Sequence, residues 1–239
     1  MKKSSIESIR FEGLQFCFET GEVIFENVDF EFPTRKLVWV QAESGSGRST
    51  LLQILAGLQL PTKGKFLLND QNVADMSFEE FLPFRLNIGY GFDFGGLIHN
   101  RSLLENLTLP LLYHKIETAE VAQQKALDLL LDFGVLKYKD QRPAVVPGGV
   151  RKLICLLRAI IHEPEMLLLD DPSVGLSQDM ALKYFDRIEQ LKKNGKCQHI
   201  FVSSFDEKLM GLLQHEEIYV DCGQIYQNVN EKEKKVVNL

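Results

Sequence analysis

The stretch WVQAESGSGRSTLLQIL, residues 39–55, decides the fold because it resembles a loop that binds phosphate. The phosphate-loop pattern is G-x-x-x-x-G-K-[ST], and here its first glycine is Ala42 and its lysine is Arg48. The apolar segment KLVWVQ predicts a buried strand before the loop, and STLLQILAGL predicts a helix after it. This order would aim backbone N–H groups and a helix N-terminus at one anion. The sequence therefore predicts a phosphate site rather than a flexible Gly/Ser turn.

The side chains of the loop indicate what it could hold. Arg48 keeps the positive charge of the usual lysine, but a planar guanidinium is not interchangeable with a compact ammonium at close quarters. Ser49 offers the hydroxyl that would bind Mg²⁺ in such a loop. We expect nucleotide contacts from seven consecutive residues: Ser44, Gly45, Ser46, Gly47, Arg48, Ser49 and Thr50.

A second segment, EPEMLLLDDPSVGL (163–176), ends an apolar run in Asp170 and Asp171. An acid at the carboxyl end of a buried parallel strand lies where such sheets bind ligands. In a phosphate-loop protein the first aspartate would hold Mg²⁺ and the second could orient the attacking water. Taken alone, D-D-P is equally typical of a turn. Its combination with the phosphate loop favours the functional interpretation.

The remaining segments predict an α/β domain with a helical insertion. The first forty residues alternate and predict a β-meander with turns at Gly13 and Thr20-Gly21. Helical spacing then dominates the middle of the chain, and strands return at EMLLLDD, QHIFVSS and EEIYVDCGQIYQ. We predict one domain over 1–227, with a helical subdomain inserted at about 95–160, and a polar tail at 228–239.

Composition restricts the class of protein further. The chain has 239 residues, of which 45% are hydrophobic and 25% charged, as in an ordinary globular domain. A net charge of −6 argues against a general nucleic-acid surface, although not against a local phosphate site. The four cysteines form no C-x-x-C pair, which favours a reducing compartment. We expect neither a signal peptide nor an apolar run of the roughly 20 residues that cross a bilayer.

Together these segments resemble one family, the nucleotide-binding subunits of ABC transporters, over nearly the whole chain. AESGSGRST resembles the Walker A loop, LLLDDPSVGLS the Walker B strand and D-loop, PGGVRKLICLLRAIIHEP the signature segment, and HIFVSSFDE the switch-histidine segment. Within the family, IGYGFDFGGLIHNRSLLENLTLPL and DPSVGL are most similar to the ATPases of Mce-type lipid transporters, such as the maintenance-of-lipid-asymmetry system. The resemblance implies a P-loop NTPase fold: an α/β ABC-type ATPase domain with a mixed sheet core, an N-terminal antiparallel β-subdomain and an inserted helical subdomain.

Besides Arg48, the chain departs from the family pattern at three further positions that act on the γ-phosphate. By resemblance, Asp93 stands for the Q-loop glutamine, Asp171 for the catalytic glutamate and Phe205 for the switch histidine. Asp171 is shorter by one methylene, so its water would lie about 1 Å out of place, which costs on the order of 10²-fold in rate. Phe205 cannot hydrogen-bond to phosphate. Asp93 would add a negative charge beside Asp170 and Asp171 without adding any positive one.

The signature segment, which would face the nucleotide of a partner subunit, is also altered. Pro147 replaces its serine and Val150 its glutamine, while Gly148 and Gly149 remain as candidate nucleotide contacts. Proline suits the first turn of the helix that follows, so the fold would survive the change. Ser177 replaces the D-loop aspartate.

The resemblance also implies ligands for the base and the metal. Phe18, or alternatively Phe16, would stack on the adenine, although either could be core in an alternating strand. Ser49, Asp170 and Asp93 would hold Mg²⁺. Either tighter metal binding or weaker ATP binding could follow from the extra aspartate.

The resulting prediction is an ATP- and Mg²⁺-binding subunit of an envelope lipid (Mce/Mla-like) transporter with impaired hydrolysis. We expect it to be cytoplasmic, peripheral to the inner membrane, and in contact with the membrane only through an integral permease, whose helix would enter a groove around residues 93–106. It would form a homodimer, or a heterodimer with another ABC subunit, and would bind no nucleic acid. Two alternatives stay open: an active ATPase with compensating residues or within a heterodimer, and a structural adaptor of a permease that binds no nucleotide.

Overall fold

Two β-sheets and a set of helices make up the part of the chain that the structure, a computed structural model, describes: residues 4–43, 45–93 and 96–227. The predicted contact Ser44 and the predicted tail at 228–239 lie outside these residues. The strands are β1 (Ile9–Cys17), β2 (Val23–Glu31), β3 (Leu37–Ala42), β4 (Lys63–Leu68), β5 (Gln71–Asn72), β6 (Ile88–Gly91), β7 (Met166–Asp170), β8 (His199–Ser203), β9 (Glu216–Asp221) and β10 (Gln224–Tyr226). The helices are α1 (Arg48–Leu55), α2 (Phe78–Arg85), α3 (Leu103–Tyr113), α4 (Ala119–Asp132), α5 (Gly148–Ile160), α6 (Gln178–Lys193) and α7 (Glu207–Met210).

The larger sheet brings the predicted phosphate loop and the paired aspartates to one edge. Its strand order is β10-β9-β3-β8-β7-β6, and all its pairings are parallel except that of β10 with β9. Val40 of β3 and Asp170 of β7 are both in register with Ser203 at the end of β8. The loop after β3 and the carboxylates at the end of β7 therefore meet at the carboxyl edge of the sheet, on either side of β8.

The smaller sheet is antiparallel, with the order β2-β1-β4-β5. The predicted turn at Thr20-Gly21 is confirmed, but the predicted turn at Gly13 is wrong. Gly13 lies inside β1 at φ +54°, where the pairing with β2 shifts register and its N–H donates to Asp29 at 2.7 Å. A Cβ on Gly64 opposite would lie 2.1 Å from the Gly13 carbonyl oxygen. The glycine therefore marks a bulge where two strands approach closely, rather than a reversal of the chain.

Alternation along the central strands creates two apolar cores, one on each face of the larger sheet. Leu37 and Trp39 of β3 pack with α3, α4, α5 and α6, whereas Val38 and Val40 pack with α1 and the smaller sheet. The helices α3, α4 and α5 follow one another between β6 and β7. The P-loop ABC-type architecture that the resemblance implied is thus confirmed, while the bounds 95–160 for a helical subdomain stay a prediction.

The sequence patterns missed helix α2. Its start is fixed by a capping box, in which the Ser77 hydroxyl accepts the Glu80 N–H and the Glu80 carboxylate accepts the Ser77 N–H. Among its residues only Phe84 is buried, so the helix lacks the apolar stripe that periodicity detects. Within the described ranges, no helix is both apolar and long enough to cross a membrane.

Candidate functional site

The phosphate loop connects β3 to α1 through two glycines with positive φ. Gly45 has φ +84° and Gly47, the N-cap of α1, has φ +95°. A Cβ on Gly47 would lie 2.3 Å from Cγ2 of Ile24, so both the backbone conformation and the space require glycine. Within the described part of the loop, no side chain caps α1 and its first turn carries no acid. The N-terminus of α1 is therefore open to an anion.

Ser49 and Asp170 lie side by side at the start of α1 and the end of β7. The Ser49 hydroxyl donates to Oδ1 of Asp170 at 3.1 Å. Burial raises the pKa of Asp170, and Asp93 raises it further, against hydrogen bonds from Ser49 and Ser203 that lower it. A hydroxyl and a carboxylate beside a phosphate loop are hard oxygen donors that fit Mg²⁺, which takes one or two protein oxygens and completes its shell with phosphates and water.

Arg48, Asp171 and Phe205, three of the positions that depart from the family pattern, contact one another. Nη2 of Arg48 lies 3.8 Å from Oδ2 of Asp171, and its guanidinium carbon lies 3.4 Å from the centre of the Phe205 ring. The backbone N–H of Phe205 also hydrogen-bonds to the Asp171 carboxylate. Arg48 is only 8% exposed, and this burial lowers the pKa of its guanidinium, while Asp171 and Asp170 act in the opposite direction. We name Arg48, Asp171 and Phe205 the arginine cluster.

The backbone conformation at position 171 favours aspartate. Its φ is +41°, a left-handed conformation that aspartate tolerates better than most residues, and its N–H donates to the Ser203 carbonyl at 2.8 Å. Burial raises the pKa of the carboxyl, while the charge of Arg48 opposes that rise. A shorter acid at this position therefore agrees with the local turn as well as with the altered site.

Lys152 of α5 is a site residue that the sequence analysis missed. It is 7% exposed, and its ammonium donates to the backbone carbonyls of Phe92 and Asp93, at 3.1 and 3.0 Å, and to that of Asp170 at 3.3 Å. Its Nζ also lies 3.4 Å from Oδ1 of Asp93. The expectation that Asp93 brings no compensating positive charge is therefore wrong. The sequence did offer a signal for this residue: Lys152 lies on the same buried face of α5 as Leu156 and Ala159, and a lysine is rarely buried unless its charge is paired.

The signature segment packs against the loop that follows β7. Pro147 is the N-cap of α5, with φ −56° and ψ 149°, one position before the first turn where proline was expected. A Cβ on Gly149 would lie 2.8 Å from the Gly175 carbonyl oxygen, so this contact requires glycine. Ser177, at the D-loop position, caps α6 by accepting the Met180 N–H. Gly148 begins α5 at the same end of the helix.

Of the two candidate adenine-stacking residues, Phe16 belongs to the core. It is buried among the apolar side chains between the sheets, and Phe18 contacts it edge-on at 5.0 Å between ring centres. Phe18 is half-buried, and its N–H donates to the Glu22 carbonyl, closing the β1–β2 hairpin. That hairpin leads directly to Ile24, which borders Gly47. Phe18 is therefore the more accessible of the two candidates, although it too packs partly against the core.

The comparisons with known proteins identify the family. The model of the family described as ABC transporter matches residues 25–174, more than half of the chain. The chain is 30% identical over 199 residues to the lipoprotein-releasing system ATP-binding protein LolD of Pseudoalteromonas translucida, covering 82% of this chain and 85% of that protein. It is equally 30% identical over 198 residues to LolD of Buchnera aphidicola subsp. Schizaphis graminum, covering 81% and 84%. These relatives are lipoprotein-release proteins rather than Mce-type ATPases, so the Mce-type assignment stays a prediction.

Solved structures agree on the fold. A dimeric post-hydrolysis state of the ATP-binding cassette MJ0796 bound to ADP and Pi superimposes with a TM-score of 0.81 at 23% identity, covering 91% of this chain and 96% of that one. A nucleotide-free ATP-binding cassette from an ABC transporter gives 0.73 at 21% identity, covering 98% and 96%. The chain therefore belongs to the ABC transporter family, as a subunit with the P-loop fold of that family's ATP-binding cassettes.

Proposed function

We propose that the chain is the ATP-binding subunit of an envelope transporter for lipid or lipid-linked cargo, and that it holds Mg-ATP while hydrolysing it slowly. The arginine cluster is the observation that carries this proposal. In an active site of this family the three positions would turn a lysine, a glutamate and a histidine toward the γ-phosphate and its attacking water. Here they are an arginine, an aspartate and a phenylalanine that contact one another.

The elements for binding, in contrast, are built as a phosphate site requires. The open N-terminus of α1 offers backbone N–H groups to the phosphates, with Gly45 and Gly47 supplying the positive φ angles. Ser49 and Asp170 would hold Mg²⁺, which neutralises phosphate charge when bound, and Asp93 lies close enough to Asp170 to raise its pKa. A phosphate loop that keeps its glycines and its metal-binding oxygens, beside altered hydrolytic residues, supports a subunit that binds and rarely cleaves.

A groove beside the site supports docking of a permease. It has a volume of about 220 Å³ and is lined from α2, β6, α3, α5 and the segment that follows α1, with Leu58, Arg85, Tyr90, Phe92 and His114 among its walls. The groove for a partner helix was expected around residues 93–106, of which 94 and 95 lie outside the described residues; this groove borders that segment, and a second cavity of about 270 Å³ is lined by Asp93, Leu97 and His99. Because Phe92 precedes Asp93 and Lys152 binds both carbonyls, a helix in the groove would be coupled to the nucleotide site.

The cargo and the assembly that we propose are based on the relatives to which this chain is similar. Two LolD proteins named for a lipoprotein-releasing system are 30% identical to this chain. Cargo with a lipid portion, whether lipoprotein or an Mce/Mla-type lipid, is the chemistry shared by that name and by the sequence prediction. We propose that two copies, or this chain and another ABC subunit, place Gly148 and Gly149 of one against the phosphate loop of the other, at the cytoplasmic face of the permease.

The proposal is tested by Mg-ATP binding to the chain, alone and together with the permease. At millimolar Mg-ATP we expect a rise in melting temperature and in the dimer fraction measured by light scattering, since a ligand that binds only the folded state stabilises it. If neither the melting temperature nor the dimer fraction moves while the permease still binds, the chain is a structural adaptor that does not use nucleotide.

A second candidate, an active ATPase with compensating residues, is favoured by Lys152. Its ammonium supplies a buried positive charge between the Asp93 segment and the end of β7, which an altered site could use to balance Mg-ATP and three carboxylates. A substantial turnover that disappears in Asp170→Asn would support this candidate over slow hydrolysis.

A further inference from the structure

The arginine cluster occupies three positions that, by the family pattern, would face the γ-phosphate and its attacking water. Nη2 of Arg48 and Oδ2 of Asp171 are 3.8 Å apart. A phosphate oxygen that accepts a charge-assisted hydrogen bond lies about 2.8 Å from its donor. A phosphate group placed between these two side chains would hold their charged atoms well beyond the observed separation. The γ-phosphate can therefore enter only after Arg48 leaves Asp171 and the ring of Phe205.

The electrostatics at this position also oppose a third phosphate. Asp170 is 6% exposed and the side chain of Asp171 is 17% exposed, so two carboxylates with little access to solvent already lie at this position. Arg48 is the cation that balances Asp171. Drawing Arg48 toward a γ-phosphate would leave a buried carboxylate facing added negative charge, which is costly in a desolvated site.

A shorter phosphate chain finds donors without disturbing the arginine cluster. Among the residues that the structure describes, no side chain caps the N-terminus of α1 and no acid lies in its first turn. Nη1 of Arg48 is buried without a hydrogen-bond partner among the described residues, although Nη2 faces Asp171. A buried donor left unsatisfied costs about 1–3 kcal/mol, so an anion that satisfies it is favoured. The Ser46 N–H already donates to the Glu43 carbonyl, so the N–H groups at the start of α1 and this one nitrogen would be the donors for the terminal phosphate of a diphosphate.

We propose that this site is selective for the diphosphate state: ADP binds at least as tightly as ATP, because the third phosphate must first break the contact of Arg48 with Phe205. This inference rests on the proposed function, that the chain binds adenine nucleotide, and names which nucleotide state the site holds. Phe205 is 58% exposed, and a cation–π contact at an exposed site is worth about 0.5–1 kcal/mol, which corresponds to a handicap for ATP of up to about fivefold in affinity.

The test compares dissociation constants for Mg-ADP and for a non-hydrolysable Mg-ATP analogue by titration calorimetry on the full chain. Phe205→Leu removes the aromatic face, and Phe205→His restores the residue of the family pattern. Phe205 is 58% exposed, so neither change threatens folding. Phe78→Leu is the matched control, because Phe78 is 72% exposed at the start of α2, and no contact joins it to the site in the described structure.

We expect a ratio Kd(ADP)/Kd(ATP analogue) of one or less for the unmodified chain and for Phe78→Leu. Phe205→Leu and Phe205→His should raise this ratio by up to about fivefold, mainly by tightening the triphosphate. A ratio clearly above one in the unmodified chain, which is a preference for the triphosphate, overturns the inference and leaves the proposed function intact, as does a ratio that Phe205→Leu leaves unchanged. If neither nucleotide binds, the proposed function itself fails.

Discussion

Removal of the Lys152 ammonium should destabilise the chain more than removal of any exposed cation. Lys152→Met keeps much of the side-chain volume but leaves the carbonyls of Phe92, Asp93 and Asp170 without this donor and Asp93 without its cation. Breaking a buried ion pair costs about 3–5 kcal/mol. Asp93 is partly exposed, so solvent screens its share and the expected loss is about 2–3 kcal/mol. For a chain of this length that corresponds to a fall in melting temperature of roughly 5–10 °C.

The loss is measured by urea and thermal denaturation followed by circular dichroism. Lys36→Met is the matched control, since it also removes a lysine–carboxylate contact, with Glu216 at 3.0 Å, but on the surface. We expect the control to cost less than about 1 kcal/mol. Asp93→Asn in the Lys152→Met background should recover part of the loss, because it removes the carboxylate left without a cation. A Lys152→Met variant within about 0.5 kcal/mol of the unmodified chain would refute the assigned role of this lysine.

Three further predictions concern the site. Gly47→Ala should destabilise the chain by about 1–3 kcal/mol, because its Cβ would lie 2.3 Å from Cγ2 of Ile24. The same change should abolish the rise in melting temperature caused by nucleotide, and an unaltered rise would contradict this prediction. The pKa of Asp170 is raised in the folded state, so its contribution to the free energy of unfolding should fall as pH rises from about 4 through that raised pKa. In urea denaturation between pH 4.5 and 7.5, the free energy of unfolding of Asp170→Asn should therefore fall less than that of the unmodified chain. An equal fall would be evidence against the burial penalty on Asp170. The triple variant Arg48→Lys, Asp171→Glu, Phe205→His should raise ATP turnover by about tenfold or more in a phosphate-release assay, and no gain would show that the block lies elsewhere.

The fold was largely predictable because it is encoded in local patterns. The apolar run of β7, with all five of its residues buried, and the helical stripe of α5 are each visible in a few consecutive residues. The prediction of a turn at Gly13 was wrong, because this glycine forms a bulge inside β1 instead of reversing the chain. Helix α2 was not predicted, because it has a capping box but no buried apolar face that periodicity would detect.

Which residues form the site could be predicted, but not how their side chains contact one another. The order of the motifs brings the loop after β3 and the end of β7 together, because parallel strands share an edge. The directions of the side chains depend on three loops that are distant in sequence, so the stacking of Arg48 on Phe205 could not be deduced from the sequence. Lys152 was missed for the same reason: its partners lie just after β6 and at the end of β7, not on its own helix.

The most direct test of the central claim is ATP turnover by the chain assembled with its permease, measured beside the same assembly carrying Asp170→Asn. If the arginine cluster prevents productive placement of the γ-phosphate, the two rates should agree within about twofold, although both assemblies are folded and the unmodified chain binds nucleotide. A tenfold higher rate in the unmodified assembly would contradict the account, because it would show that this site cleaves ATP despite the contacts among Arg48, Asp171 and Phe205.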